Sequence, residues 1–137
     1  MTSRTFVDTN VFVYAFDADE PAKRAIALGV VRDTPDLVIS TQVLGEFFVA
    51  VTRKLARPIP VGDAVAAMEE LTTLPVVPTD LTLVRSALAT ARMHQLSYWD
   101  ALVVEAAATA GCDRLLTEDL ADGAELRGVR IENPFAA

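Results

Sequence analysis

The chain has 137 residues, with 12 Lys and Arg against 19 Asp and Glu, a formal net charge of −7, and 52% hydrophobic residues. That length fits one domain spanning the whole sequence, and the apolar share suits a packed core and excludes a disordered chain. The acidic balance argues against a nucleic-acid binder with a broad basic footprint, unless the acids gather around a divalent cation, which inverts the local field.

In chain order, residues 4–8 (Arg-Thr-Phe-Val-Asp) form a short buried strand. Its apolar run is broken at Asp8 and again at Asp17 and Asp19, so it is not a signal peptide. Thr9 and Asn10 suit a helix start, with 11–16 as its first turns. A second helix begins near Pro21 and runs to about residue 32, and Thr34-Pro35 punctuates it. Residues 36–40 make a second apolar strand, followed by a helix over 41–56 that Pro58 and Pro60 end. An amphipathic helix over 61–71, a strand over 75–78 and a helix over 80–94 come next.

Ser97 opens a helix that ends near Gly111. It is the richest apolar stretch, yet it contains Glu105 and is too short to span a bilayer. The single cysteine, Cys112, excludes an internal disulfide and suits a reducing compartment, so a cytoplasmic protein is expected. Strands follow over 114–117 and 129–131, with loop between them. Short apolar strands alternating with helices indicate an α/β domain with a mostly parallel sheet. Such sheets place ligands beyond the carboxyl ends of their strands.

Four acids fall on that rim. Asp8 closes the first strand and Asp119 follows the 114–117 strand, while Glu46 and Asp100 lie early in helices that start there. Each has a plainer role available. Asp8 suits a helix cap, Glu46 a solvated carboxylate beside the stripe of Leu44, Phe47, Phe48 and Val51, and Asp119 an ordinary acidic loop. Asp100 completes a capping box with Ser97 and complements the helix dipole, worth up to about 1 kcal/mol. Taken together, crowded carboxylates repel one another unless a divalent cation joins them, and all-oxygen ligation suits magnesium or manganese over zinc. The chain has no phosphate loop, no nucleophile elbow and no zinc spacing; His94 lies near a helix end as a surface residue.

These stretches resemble the PIN-domain ribonucleases, and within them the VapC-like toxins of type II toxin–antitoxin pairs. The matching segments are Phe6-Val-Asp-Thr-Asn-Val-Phe-Val-Tyr-Ala15, Ser40-Thr-Gln-Val-Leu-Gly-Glu46, Ser97-Tyr-Trp-Asp-Ala-Leu102 and Leu115-Leu-Thr-Glu-Asp-Leu120, with Val129-Arg-Ile-Glu-Asn-Pro-Phe135 at the end. The resemblance implies a three-layer α/β/α sandwich, a magnesium- or manganese-dependent endoribonuclease, a cognate antitoxin and a homodimer. Asp8 and Asp100 are the first choices for direct metal ligands, with Glu46 and Asp119 completing the site directly or through water. In the fourth segment Glu118, Asp119 and Asp122 compete; Asp119 is the match and Asp122 a candidate accessory. Thr9, Asn10 and Thr117 would orient carboxylates or water, with capping the competing role for the first two.

Local positive charge for RNA is sought in Arg53, Lys54 and Arg57, near a helix end whose dipole they also suit. An antitoxin tail would lie in a hydrophobic groove near Val11, Phe12, Phe47 and Phe48, residues that suit plain core equally, and would bring a basic side chain to the acids. Two rival functions stand beside this reading: an RNA- or protein-interaction module on the same fold that does not cut, and a nuclease of this fold outside any toxin pair.

Overall fold

The computed structural model describes residues 3–136. The strands are β1 (Thr5–Val7), β2 (Leu37–Ser40), β3 (Val76–Val77), β4 (Arg114–Leu116), β5 (Glu125–Leu126) and β6 (Val129–Glu132). The helices are α1 (Thr9–Tyr14), α2 (Pro21–Asp33), α3 (Thr41–Val49), α4 (Val61–Leu71), α5 (Leu81–His94) and α6 (Tyr98–Thr109). The sheet order is β3-β2-β1-β4-β6-β5, with every pairing parallel except β5 against β6. This is an α/β architecture around a mostly parallel sheet.

From β1 the chain steps outward through β2 to β3, and after α5 and α6 it returns to pair β4 on the other side of β1. Right-handed crossovers in opposite directions put the two sets of helices on opposite faces of the sheet. Helices α1 to α4 accordingly pack among themselves, while α5 packs along α6 and α6 lies on β2, β4 and β6. The direction of winding reverses between β1 and β4, so a crevice opens at the carboxyl ends of these two strands.

Burial explains the central elements. All of β1 and β2 is buried, as expected for strands covered on both faces. In α6 every residue from Ala101 to Ala107 is buried, which accounts for its nearly uniform apolar sequence. The exception in type is Glu105, 3% exposed, which accepts from Thr90 Oγ1 at 2.8 Å and from Arg127 Nε at 3.2 Å.

Two segments differ from the sequence expectation. The helix predicted over 41–56 is α-helical only to Val49 and widens into a π-helical turn, Ala50–Lys54, closed by the Leu55 amide donating to the Ala50 carbonyl at 3.2 Å. There the Thr52 hydroxyl donates to the Phe48 carbonyl at 2.7 Å, a back-bond of the kind that loosens a helical ladder. The predicted loop before β6 holds the short strand β5, joined to β6 by Arg127 (φ 53°) and Gly128 (φ 78°). A two-residue hairpin turn with positive φ at both positions ordinarily takes Asn-Gly or Asp-Gly. Here the ion pair to Glu105 holds an arginine in that conformation.

Candidate active site

Asp8 sits at the centre of the crevice. It follows β1 directly and serves as N-cap of α1, its Oδ1 accepting from the Thr9 amide at 2.7 Å. The cap reading of Asp8 therefore holds, while Thr9 and Asn10 are the first residues of the helix. Its amide donates to the Leu116 carbonyl at 3.0 Å, and Oδ2 accepts from Thr117 Oγ1 at 2.8 Å, so β1 and β4 grip the residue from both sides. Only 6% of Asp8 is exposed. Burial pushes its pKa from 3.8 to about 6; the hydrogen bonds from Thr117 and Thr9 oppose the rise, and the negative charges of Asp119 and Glu46 add to it.

Thr117 connects two acids. While donating to Asp8, its hydroxyl accepts from the Asp119 amide at 3.1 Å, and Asn10 Nδ2 approaches it at 3.4 Å. Asn10 Nδ2 also donates to Asp119 Oδ2 at 3.1 Å, fixing that carboxylate against α1. The predicted orienting roles of Thr117 and Asn10 thus have hydrogen bonds to show. Thr9 is different: its Oγ1 is buried without a partner beside the cleft.

The three rival acids of the fourth segment separate cleanly. Glu118 turns away, accepting from Tyr14 OH at 2.6 Å and Lys23 Nζ at 2.7 Å. Burial works against its charge, but these two donors hold its pKa below the ordinary carboxylate value. Asp122 is a turn residue, its Oδ1 accepting from the Asn133 amide at 2.9 Å, which leaves Asp119 as the acid of this segment that faces the cleft. Tyr14 and Lys23 carried no sequence signal. Tyr14 also packs edge-on against Phe135 at 4.9 Å, and Lys23 Nζ lies 4.7 Å above the Tyr14 ring. The cluster anchors the loop that carries Asp119.

Glu46 is exposed on α3, its Oε1 accepting from Gln42 Nε2 at 2.6 Å. The same nitrogen lies 3.5 Å from the Trp99 carbonyl and so links α3 to the first turn of α6. Asp100, half-buried, stands in that turn, and its amide donates to Ser97 Oγ at 3.1 Å. The cap half of the predicted box is thereby present. Asp119 and Glu46 both act electrostatically on Asp8, whereas the Asp100 carboxylate does not line the cleft and its helix is tied to α3 only through the Gln42 contact with the Trp99 carbonyl.

A cleft of about 300 Å³ between α1, the π-helical turn and the Asp119 loop is lined by Thr9, Asn10, Glu46, Lys54, Leu55 and Asp119. Of the three predicted RNA-binding cations, the structure brings only Lys54 to it. Arg57 pairs with Asp19 at 2.9 Å, and Arg53 is exposed outside the cleft.

Among the described residues, no three Asp, Glu, His or Cys side chains converge closely enough to form a ready-made metal cage. The donor set nonetheless fits a hard divalent cation. It is all oxygen, its central carboxylate is buried under the repulsion of two others, and magnesium uses one or two carboxylates and keeps several waters.

The sequence profile of the PIN domain matches residues 5–121. Among solved structures, the fold is similar to a toxin–antitoxin complex from Klebsiella pneumoniae, with TM-score 0.73 and 20% identity, covering 98% of this chain and 100% of that one. It is also similar to VapC20 from Mycobacterium tuberculosis, described as a sarcin–ricin loop-cleaving toxin, with TM-score 0.65 and 21% identity over 81% and 86% of the two chains. A DNA-bound VapBC from Salmonella typhimurium matches with TM-score 0.62 and 19% identity over 97% and 99%. Identities this low carry the fold alone. A search by sequence among curated proteins finds no match.

Proposed function

Since the chain belongs to the PIN-domain family, we propose that it is a divalent-metal-dependent endoribonuclease and the toxin of a type II toxin–antitoxin pair. The observation that carries this reading is Asp8, buried between β1 and β4, where burial pushes its pKa up to about 6 and the negative charges of Asp119 and Glu46 add to the rise. A stable apo protein has little reason to assemble such repulsion, whereas a cation-binding one does.

Asp8 and Asp100 would contact the magnesium or manganese ion directly, and Glu46 and Asp119 directly or through water. Bound there, the ion supplies Lewis-acid charge for the scissile phosphate and brings hydroxide within reach at neutral pH. The chain's own residues do the positioning. Thr117 and the Thr9 amide hold both oxygens of Asp8, and Asn10 holds Asp119. Lys54 stands across the cleft as a phosphate contact. Hydroxide attack on phosphorus breaks the bond to the 3′ oxygen, which takes a proton from water and leaves a 3′-hydroxyl and a 5′-phosphate.

An antitoxin partner is supported by a second groove, also about 300 Å³, between α1, α2 and α4. Its apolar lining includes Phe16, Leu28 and Val31, which are 41%, 45% and 37% exposed. The apolar residues expected there are mostly core, since Val11 and Phe47 are fully buried and Phe12, itself 2% exposed, is the one of the four that lines the groove. A homodimer and a cytoplasmic location belong to the same proposal; among the described residues no helix is long and apolar enough to cross a membrane.

The test is fragment-end sequencing of total RNA incubated with purified protein, with manganese or magnesium, with chelator, and with Asp100→Asn. New 5′-phosphate ends that need both metal and Asp100 support the proposal. Folded, antitoxin-free protein that yields no ends with either metal would leave the non-cutting interaction module as the better reading.

A further inference from the structure

Trp99 is the only tryptophan in the chain, and 63% of it is exposed. It precedes Asp100 on the first turn of α6, and its carbonyl meets the Gln42 amide that also holds Glu46. The indole packs edge-on against the Tyr98 ring at 5.0 Å and 72°. A large rigid aromatic left open beside the acids is costly in water unless something flat covers it.

The α3 helix shows where a strand would run. Gln42, Glu46, Ala50 and Lys54 recur at intervals of four residues and so follow one side of α3 into the π-helical turn. Gln42 meets Trp99 at one end, Glu46 belongs to the acid site in the middle, and Glu46, Ala50 and Lys54 line the cleft toward the other. At about 1.5 Å per residue the ridge is about 18 Å long, room for a few nucleotides of a single strand.

We infer that Trp99 is a stacking platform for an unpaired nucleobase of the RNA substrate, at one end of a single-strand track that passes Glu46 and ends at Lys54. This rests on the ribonuclease reading above and names the substrate as single-stranded at the point of cleavage. The occupant is a base rather than a second copy of the chain because of the neighbouring charge. A protein face broad enough to cover the indole would also strip water from the carboxylate of Asp100, the next residue of α6, at high desolvation cost. A nucleobase covers the ring while its edge stays hydrated and its phosphate faces whatever cation the acids hold. With a net charge of −7 and one lysine in the cleft, phosphate contacts alone give little affinity, so stacking has a large share to supply.

The lone tryptophan is its own reporter. Cleavage-blocked Asp8→Asn protein is titrated with an unstructured single-stranded RNA of about six nucleotides, with the same RNA carrying abasic riboses, and with duplex RNA. Saturable quenching of indole emission is expected with the first probe and not with the other two. Trp99→Ala should weaken binding of a labelled copy of the first RNA by about 5- to 150-fold, as loss of one stacked base predicts. In the active protein it should raise KM more than it lowers kcat, and Trp99→Phe should restore most of both. Binding without quenching, or Trp99→Ala binding as tightly as its parent with an unchanged melting curve, overturns the platform while intact metal-dependent cleavage leaves the nuclease standing. Emission that shifts with protein concentration alone assigns the indole to a second copy instead. Failure to bind or cut any RNA removes the platform and the nuclease together.

Discussion

Replacing Asp8 by Asn should abolish cleavage and stabilise the metal-free protein. In the fold Asp8 titrates at about 6 rather than 3.8, so the native state holds its proton more tightly than the unfolded chain does. Stability from this group is therefore full below 3.8, is lost as pH rises toward 6, and stays lost above it. The difference, at about 1.4 kcal/mol per pH unit, makes ionised Asp8 a liability of about 3 kcal/mol at neutral pH. An asparagine carries no such charge and can keep Oδ1 on the Thr9 amide and direct Nδ2 at Thr117. Thr117 then loses its acceptor, at about 1 kcal/mol, which trims the expected gain to about 2 kcal/mol. Urea unfolding with chelator at about pH 7.5 and about pH 5 measures it, and the gap between mutant and wild type should be the larger at the higher pH. Manganese should narrow it by stabilising the wild type. A mutant no more stable than wild type at the higher pH, or a gap independent of pH, would refute the reasoning.

Asp100→Asn should retain its melting temperature within a few degrees and lose cleavage of RNA; retained activity counts against Asp100 as a metal ligand. Among the acids after β4, Asp119→Asn should lower kcat/KM by at least about 100-fold, while Asp122→Ala leaves it unchanged; equal effects, read in one cleavage assay, would void the assignment. Lys54→Ala should weaken RNA binding and reduce the salt slope by about one, whereas Arg57→Ala, whose guanidinium is held by Asp19, should alter neither. Arg127→Ala leaves buried Glu105 with Thr90 as its remaining partner and should destabilise the fold by about 1–3 kcal/mol; denaturant melts should show part of this returned by adding Glu105→Gln.

The parallel sheet was legible because its strands are short apolar runs between periodic helices, and the resemblance to PIN-domain chains is borne out. That Asp8, Glu46 and Asp119 fall near one another was legible because Asp8 and Asp119 follow adjacent strands and Glu46 lies early in the helix after β2; whether Asp100 joins them is part of the proposal. What stayed hidden depends on contacts across the chain. Glu118 and Asp119 are sequence neighbours of the same chemistry, and only Tyr14 and Lys23, near the other end of the chain, decide which one turns away. The contact from Gln42 to the Trp99 carbonyl is likewise tertiary, although its bond to Glu46 is a local one, four residues along α3. Strand β5 escaped because its turn is Arg-Gly, and the partner that makes an arginine tolerable there lies on α6. The π-helical turn escaped because helical periodicity continues through it.

The hydrogen bond between Asp8 and Thr117 joins residues 109 apart in sequence. During synthesis, the first strand waits unpaired on one side until β4 leaves the ribosome, and β6, which flanks β4, follows later still. At about 5–20 residues per second, roughly 5–20 s separate the synthesis of Asp8 from that of Thr117, and the two halves of the crevice cannot meet sooner. On the ribonuclease reading proposed above, a nascent chain that still lacks Thr117 should be harmless to the messenger and ribosome that make it. Chains arrested before Thr117 should neither cleave RNA nor protect Asp8 from exchange, and release of the finished chain should switch on both.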